Sequence, residues 1–270
     1  MHAKILSISI QKGGTGKTTT SINAASWLAL KGYSVLVVDL DPQANLTSAF
    51  GFPEFIEKKR NTIYEAIFYM SSDEDYNVSD IILTHNSSVD IIPSTQHLAN
   101  ADYELGANDD PKVKFFVLQK ILDQVRRSYD IIIIDTPPAL NNLTINAWTT
   151  SDYYLIPMSA EEFAVRGLVK QTETANRIKQ NFNKDLELVG IVFNKFSEKI
   201  VLWRMIRKEV EKHFGAFVLD AHIRQNIALA EAQRAQQTIF QYNPKCTGAE
   251  DFEALTEVLI DKMKLPLKVH

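Results

Sequence analysis

Apolar residues along this chain gather in short runs, and between most of those runs lies a stretch long enough for a helix. Runs at residues 5–10, 34–39, 89–92, 130–135, 153–157, 188–194 and 217–219 are rich in β-branched and aromatic side chains and predict strands. The uninterrupted Ile131-Ile132-Ile133-Ile134 suits a strand buried on both faces, because alternate side chains of a strand point to opposite sides. Such strands alternating with helices predict the α/β class, with a mostly parallel, twisted sheet of right-handed βαβ units flanked by helices. The stretch 21–30, SINAASWLAL, carries its bulky residues at helical spacing, and Gly32 follows where a C-terminal cap belongs. Residues 53–88 are more polar, and Glu57-Lys58-Lys59-Arg60 and Ser71-Ser72-Asp73-Glu74-Asp75 read as exposed connections around one short helix near 62–69. With no internal repeat, low-complexity tract or Pro-rich linker, residues 1–270 are expected to form one domain.

The junction after the first strand carries the clearest chemistry. Ile10-Gln11-Lys12-Gly13-Gly14-Thr15-Gly16-Lys17-Thr18-Thr19-Thr20 follows an apolar run and opens a helix-compatible stretch. Glycines let successive N–H groups point into one concavity, and a helix start adds about half a positive charge, so this loop suits a polyphosphate. Lys17 would reach the outer phosphates and Thr18 would coordinate Mg2+. Gly13, Gly14, Thr15, Gly16 and Thr19 complete the cradle. The first glycine of the standard G-x-x-x-x-G-K-[ST] pattern falls on Gln11, and a second cation, Lys12, stands before the glycines. That lysine cannot easily fold back onto phosphates already held by Lys17, whereas a facing subunit could present its own Lys12 to them.

The second strand ends in Val37-Val38-Asp39-Leu40-Asp41-Pro42, with its two carboxylates two positions apart. An extended backbone sends such a pair to the same side. Open α/β sheets bind ligands beyond the carboxyl ends of their strands, so the pair should meet the phosphate loop. There it can organise Mg2+ and its waters, and one member can orient an attacking water. Tyr129 to Pro138 reads as an apolar strand ending in Asp135 and a rigid turn, the form of an acid that holds Mg2+ through its waters.

Composition then narrows the setting. Hydrophobic residues make 45% of the chain, charged residues 23%, and the net charge is -4, which excludes disorder and any global basic field for nucleic acid or anionic membrane. The single Cys246 excludes an internal disulfide and cannot by itself supply a zinc or iron–sulfur site. Six histidines are scattered without ligand spacing. No apolar run approaches the roughly 18 residues that span a bilayer, and the first strand begins at once, leaving no room for a signal peptide, so a cytoplasmic protein is expected.

KGGTGKTTT, DLDPQANLT and IIIIDTPP, in this order, closely resemble the ParA/MinD group of deviant Walker ATPases, especially its chromosomal ParA/Soj branch. The resemblance continues through LTINAW, FAVRGL at 163–168, GIVFNKF at 190–196, NIALAEA at 226–232 and the tail Tyr242-Asn243-Pro244 with Gly248-Ala249. It implies a P-loop NTPase of the deviant Walker A type that uses ATP and Mg2+. It further implies a homodimer with two nucleotides sandwiched face to face, serving chromosome or plasmid partition. Stimulation by a ParB-like partner and nonspecific binding of double-stranded DNA by the ATP dimer, with nucleoid association, follow from the same resemblance. Carried over by position, Lys12 acts in trans on the partner's nucleotide, Asp41 orients the hydrolytic water, and Asp39 and Asp135 are acids around Mg2+ beside Thr18. Asn194 and the backbone of Ile223, Arg224 and Gln225 would border the adenine. No helix-turn-helix extension precedes the first strand, so direct operator repression is not expected.

The pattern departs from the family in one place. Two usually basic positions of the motif resembling I-P-R-N-V-R-L-S-E-A hold Gln225 and Ala228, and Arg224 stands at the proline position. Cations gather instead in 199–212, where Lys199, Arg204, Arg207, Lys208 and Lys212 outnumber Glu209 and Glu211 for a local balance of +3. Arg204, Arg207 and Lys208 share a helix face that could track phosphates, backed by an apolar side of Leu202, Ile206 and Val210, with Arg166 and Lys170 extending it. The plain alternative is an ordinary solvated helix face. Residues 250–263 place Phe252, Leu255, Val258 and Leu259 on one face, with Asp251, Glu253, Glu257 and Asp261 around them. Anionic lipid would repel those acids, so this helix is expected to dock on the domain and not on a membrane. The competing function is a ParA-like positioning ATPase for a protein cargo or polar complex, with weak or no DNA binding. A small-molecule kinase is disfavoured, because Lys12 and the aspartate pair have no evident role in accepting a phosphoryl group.

Overall fold

The computed structural model describes residues 2–52, 61–159, 164–197 and 199–268. Within them β1 (Lys4–Ile8), β2 (Val35–Asp39), β3 (Leu83–Thr84), β4 (Val89–Ile92), β5 (Ile131–Asp135), β6 (Tyr153–Met158), β7 (Glu187–Phe196) and β8 (Val218–Arg224) form one sheet. The strand order is β3-β4-β2-β5-β1-β6-β7-β8, parallel throughout except for the β3–β4 pair. Helices α1 (Lys17–Leu30), α2 (Asn45–Ala49), α3 (Ile63–Ser71), α4 (Leu98–Ala107), α5 (Pro111–Asp123) and α6 (Asn142–Thr150) precede β6 along the chain. They are followed by α7 (Ala164–Asn181), α8 (Val201–Phe214), α9 (Ile227–Arg234), α10 (Ile239–Tyr242) and α11 (Thr247–Lys262).

The isoleucine run does what strand periodicity requires. Ile131 and Ile133 join one core with Val35 and Val37, while Ile132 and Ile134 join the core on the other face with Leu36 and Val38. All four isoleucines are fully buried, each stabilising the fold by about 1.5–3 kcal/mol through transfer from water. The helix α11 docks as expected, with Phe252, Leu255 and Leu259 in the core beneath α1 and Glu257 outside, bonded to Trp27 Nε1 at 2.9 Å and Lys31 Nζ at 2.9 Å. Among the described residues no helix is long and apolar enough to cross a membrane.

Three expectations change. The two-residue β3 was not foreseen; it pairs antiparallel with β4 through a turn in which Ser88 takes φ +60°, and a strand that short carries no periodicity to detect. Strand β8, expected over three residues, runs to Arg224, its outer residues being polar because it forms the edge of the sheet. On α8 the buried stripe is Trp203, Ile206 and Val210, whereas Leu202 is half exposed. Trp203 packs edge-on against Phe193 and Phe196, with centroids 5.6 and 5.3 Å away, and the larger ring sets the rotation of the helix. Glu57 to Arg60 and Phe163 lie outside the described residues.

Candidate nucleotide site

Strand β1 is central, so the loop that leaves it emerges at the carboxyl edge between β5 and β6. Gly14 and Gly16 take φ values of +76° and +90°, conformations that side chains other than glycine rarely adopt. A Cβ on Gly16 would also stand 2.5 Å from Asn194 Nδ2. The helix α1 starts immediately afterwards at Lys17, with no side-chain cap and no acid in its first turn, so its first N–H groups and its positive dipole end are left for an anion.

Around this loop lies a cavity of about 750 Å³, lined by Gly13, Gly14, Gly16, Lys17, Thr18, Thr19 and Asp41. Asn194, Ile223, Arg224 and Gln225 line the same cavity. The phosphate residues and the residues assigned to the adenine therefore border one space. Lys12 is exposed and is not part of that lining. The Lys17 ammonium donates to the Lys12 carbonyl at 3.1 Å. Burial pushes its pKa below the ordinary lysine value, with Asp135 and Asp41 opposing the shift, which leaves a cation that a phosphate would stabilise strongly.

Asp135 ends β5 beside the loop and accepts from Thr18 Oγ1 at 2.7 Å and Ser21 Oγ at 3.0 Å. Burial raises its pKa to about 6, against the bonds from Thr18 and Ser21 and the charge of Lys17. Asp39 is its register partner on β2. Burial first and the Asp135 charge second push Asp39 up to about 7. The Thr18 hydroxyl lines the cavity and is backed by Asp135, an arrangement suited to hard Mg2+ whose charge would favour the ionised acid, whereas Asp39 lies behind the lining. Among the described residues no group of three or more His, Cys, Asp or Glu is placed to hold a metal ion.

The aspartate pair does not act as a matched pair. Strand β2 stops at Asp39, so alternation ends before Asp41. Asp39 is wholly buried and accepts from Thr47 N at 2.8 Å, Thr47 Oγ1 at 2.7 Å and Asp41 N at 3.2 Å. Asp41 lines the cavity instead, with its carboxylate fixed by Gln43 N at 2.9 Å and its carbonyl by Ser94 Oγ at 2.9 Å. Burial raises the Asp41 pKa, opposed by the Gln43 N–H and by Lys17. One acid braces the loop and the other faces the ligand space.

Other assigned residues prove to have structural duties as well. Asn194, buried at the end of β7, donates to the Thr15 carbonyl at 2.9 Å, and the next residue, Lys195, reaches the Gly14 carbonyl at 3.1 Å. Arg224 lines the cavity, but its guanidinium is bonded to Asp251 and Glu250 of α11, at 2.6 and 3.1 Å, and its main-chain N–H donates to Asp251 at 2.8 Å. Sequence reasoning missed Lys195, although it follows Asn194 in the quoted GIVFNKF motif. It also missed Gln171, which contacts Ser9 and Gln11 from α7 and has no signal beyond being polar on an amphipathic helix. On α8, Lys199, Arg204 and Lys208 are exposed. Arg207 is committed to Glu211 at 2.7 Å and lies 5.7 Å from the Phe196 ring centroid.

A glycine-rich loop joining a central parallel strand to a helix, with a buried acid at the neighbouring strand end, defines a P-loop nucleotide-binding protein. Comparison with known proteins narrows the class. The AAA domain family profile matches residues 3–188. The chain is 38% identical to the sporulation initiation inhibitor protein Soj of Bacillus subtilis, over 92% of this chain and 94% of that one. It is 33% identical to the chromosome partitioning protein ParA of Caulobacter vibrioides, over 96% and 94%. The structure of cobyrinic acid a,c-diamide synthase from Mycobacterium smegmatis with an ATP analogue and magnesium superimposes with a TM-score of 0.82 at 25% identity, covering 99% of this chain and 100% of that one. The chain belongs to the ParA/MinD family, on its ParA/Soj side. It is an ATPase that takes ATP with Mg2+.

Proposed function

We propose that the protein is a partition ATPase working as an ATP-dependent dimerising switch. Two nucleotides lie face to face, and each is completed by Lys12 of the opposite subunit. The observation that carries this reading is the division of labour between the two loop lysines: Lys17 is buried in the cavity wall, while Lys12 is exposed and outside that wall. Lys17, Thr18 and Asp135 hold the Mg2+–ATP, Asp41 orients the water, and Asn194 with the 223–225 backbone receives the adenine. Hydrolysis, stimulated by a ParB-like partner, returns the dimer to monomers. Similarity to the chromosome partitioning protein ParA of Caulobacter vibrioides over 96% of this chain and 94% of that one supports the partition setting.

In the ATP dimer, Lys199, Arg204 and Lys208 of each subunit would contact DNA phosphates without reading sequence. A second reading, a positioning ATPase for a protein cargo, is favoured by one observation: Val201, Leu202 and Met205 are 58%, 50% and 64% exposed beside those cations, and phosphate offers them no apolar counterpart. Binding of the ATP form to nonspecific duplex DNA at two salt concentrations separates the two. A steeply salt-dependent, ATP-dependent affinity supports DNA, and its absence supports protein cargo.

A further inference from the structure

Two sets of contacts hold the phosphate loop, and they grip different limbs of it. The limb that wraps the phosphates is held by Asn194 at the Thr15 carbonyl, Lys195 at the Gly14 carbonyl and Asp135 at Thr18. The entry limb is held from α7. Gln171 Nε2 donates to the Ser9 carbonyl at 2.7 Å, and Gln171 Oε1 accepts from the Gln11 N–H at 3.2 Å. Gln171 is 1% exposed, and its amide, which carries both a donor and an acceptor, bridges two main-chain groups just as a neighbouring strand would.

The next residue after this bridge is Lys12. We propose that Gln171 is a positioning residue for Lys12, fixing the Gln11–Lys12 main chain so that the lysine side chain leaves the loop toward a second copy and not toward its own nucleotide. The inference rests on the in-trans role of Lys12 proposed above. Three observations support it. Ser9 is already pinned on its side-chain hydroxyl by Thr136 Oγ1 at 3.1 Å and Trp148 Nε1 at 3.2 Å, so Gln171 ties the loop entry to a fixed point. The Lys12 carbonyl meets Lys17 Nζ, so the orientation of this one peptide bears on both lysines. Gln171 does not line the nucleotide cavity, and the phosphate-wrapping limb keeps its own supports without it.

The test is a split between binding and turnover in the full chain. Gln171→Ala and Gln171→Leu remove the bridge, whereas Gln171→Glu keeps the acceptor for Gln11 and loses the donor to Ser9. MgADP affinity of the monomer, which requires no partner lysine, is expected to stay within about twofold in all three, as is KM for ATP. In the Ala and Leu chains kcat and ATP-dependent dimerisation are expected to fall roughly tenfold to a hundredfold, the scale of a misplaced reacting group. Gln171→Glu should show a smaller loss. If the Ala and Leu chains do not fold, Gln171→Glu decides by the same split. Unchanged kcat in the Gln171 variants, with Lys12→Ala still inactive, overturns the proposal. So does a loss of MgADP affinity that parallels the loss of kcat, because that makes Gln171 merely structural. Full activity in Lys12→Ala instead overturns the in-trans reading.

Discussion

The nucleotide cleft and the outer face of α8 are both built from charged residues, yet they differ in how tightly each charge is assigned. In the cleft every charged group has a fixed orientation: Lys17 on the Lys12 carbonyl, Asp135 on Thr18 and Ser21, Asp39 on Thr47, Asp41 on Gln43. On α8, Arg207 is committed to Glu211, while Arg204 and Lys208 stand in solvent beside half-exposed Val201, Leu202 and Met205. The difference is one of preorganisation. Buried dipoles and charges held before the ligand arrives cost no reorganisation when it binds, whereas long exposed side chains are ordered only by their partner. The cleft therefore defines its ligand closely, and the α8 face defines only a sign of charge and an apolar neighbour.

The largest effect should come from breaking the ordered side. Lys17→Ala removes the buried cation that faces the outer phosphates, and titration of the monomer with Mg2+–ATP should show affinity reduced about a hundredfold or more, on the scale of a charge-assisted contact of roughly 3 kcal/mol. Wild-type affinity in that variant would remove the cleft from the account. Asp41→Ala should keep ATP binding and lose turnover by about two orders of magnitude, the scale of a lost proton acceptor. It should also elute as a trapped dimer in ATP, and a variant that binds ATP but stays monomeric contradicts the water-orienting role.

The α8 face should give smaller, graded effects. If it contacts DNA, Arg204→Ala with Lys208→Ala should flatten the plot of log affinity against log salt by about 3 to 4 units for a dimer, at roughly 0.9 per phosphate. Arg207→Ala, whose guanidinium is already spent on Glu211, should leave the slope unchanged. If the face takes a protein, the slope does not move and Met205→Asp has the larger effect. The smallest prediction concerns pH. Asp39 and Asp135 have folded-state pKa values raised to about 7 and about 6, so between about pH 4 and 7 the folded chain binds more protons than the unfolded one at these two sites. Stability from them is present at the low end of that window and is lost as pH rises through it. The Tm of the ligand-free chain should accordingly fall by a few degrees between pH 5 and pH 8, and a rising Tm would contradict the burial of these acids.

How much of this was legible follows the same division. The strand ends that carry Asp135 and the loop at Gly13 to Thr19 announce themselves, because buried parallel strands read as apolar runs and the loop's glycines are demanded by backbone geometry. The separation of Asp39 from Asp41 was not readable, since it depends on where β2 stops, and that is set by the bonds from Leu40 N to the Asp135 carbonyl and from Thr47 to Asp39. The α8 stripe was misplaced by one residue at Leu202, because periodicity alone does not say that Trp203 outranks leucine for the space against Phe193 and Phe196. Gln171 was invisible, because its partners lie 160 and 162 positions away on main-chain groups.

The central claim is that each site is completed by the other subunit's Lys12, and mixing two impaired chains tests it most directly. In a dimer of one Lys12→Ala chain and one Asp41→Ala chain, the first retains Asp41 and receives Lys12 from its partner, while the second has neither the aspartate nor the partner lysine. The account predicts that ATP hydrolysis, strongly reduced in either variant alone, returns on mixing through that one complete site per dimer. If Lys12 serves its own nucleotide, neither site is complete, and a mixture no more active than its two components contradicts the account.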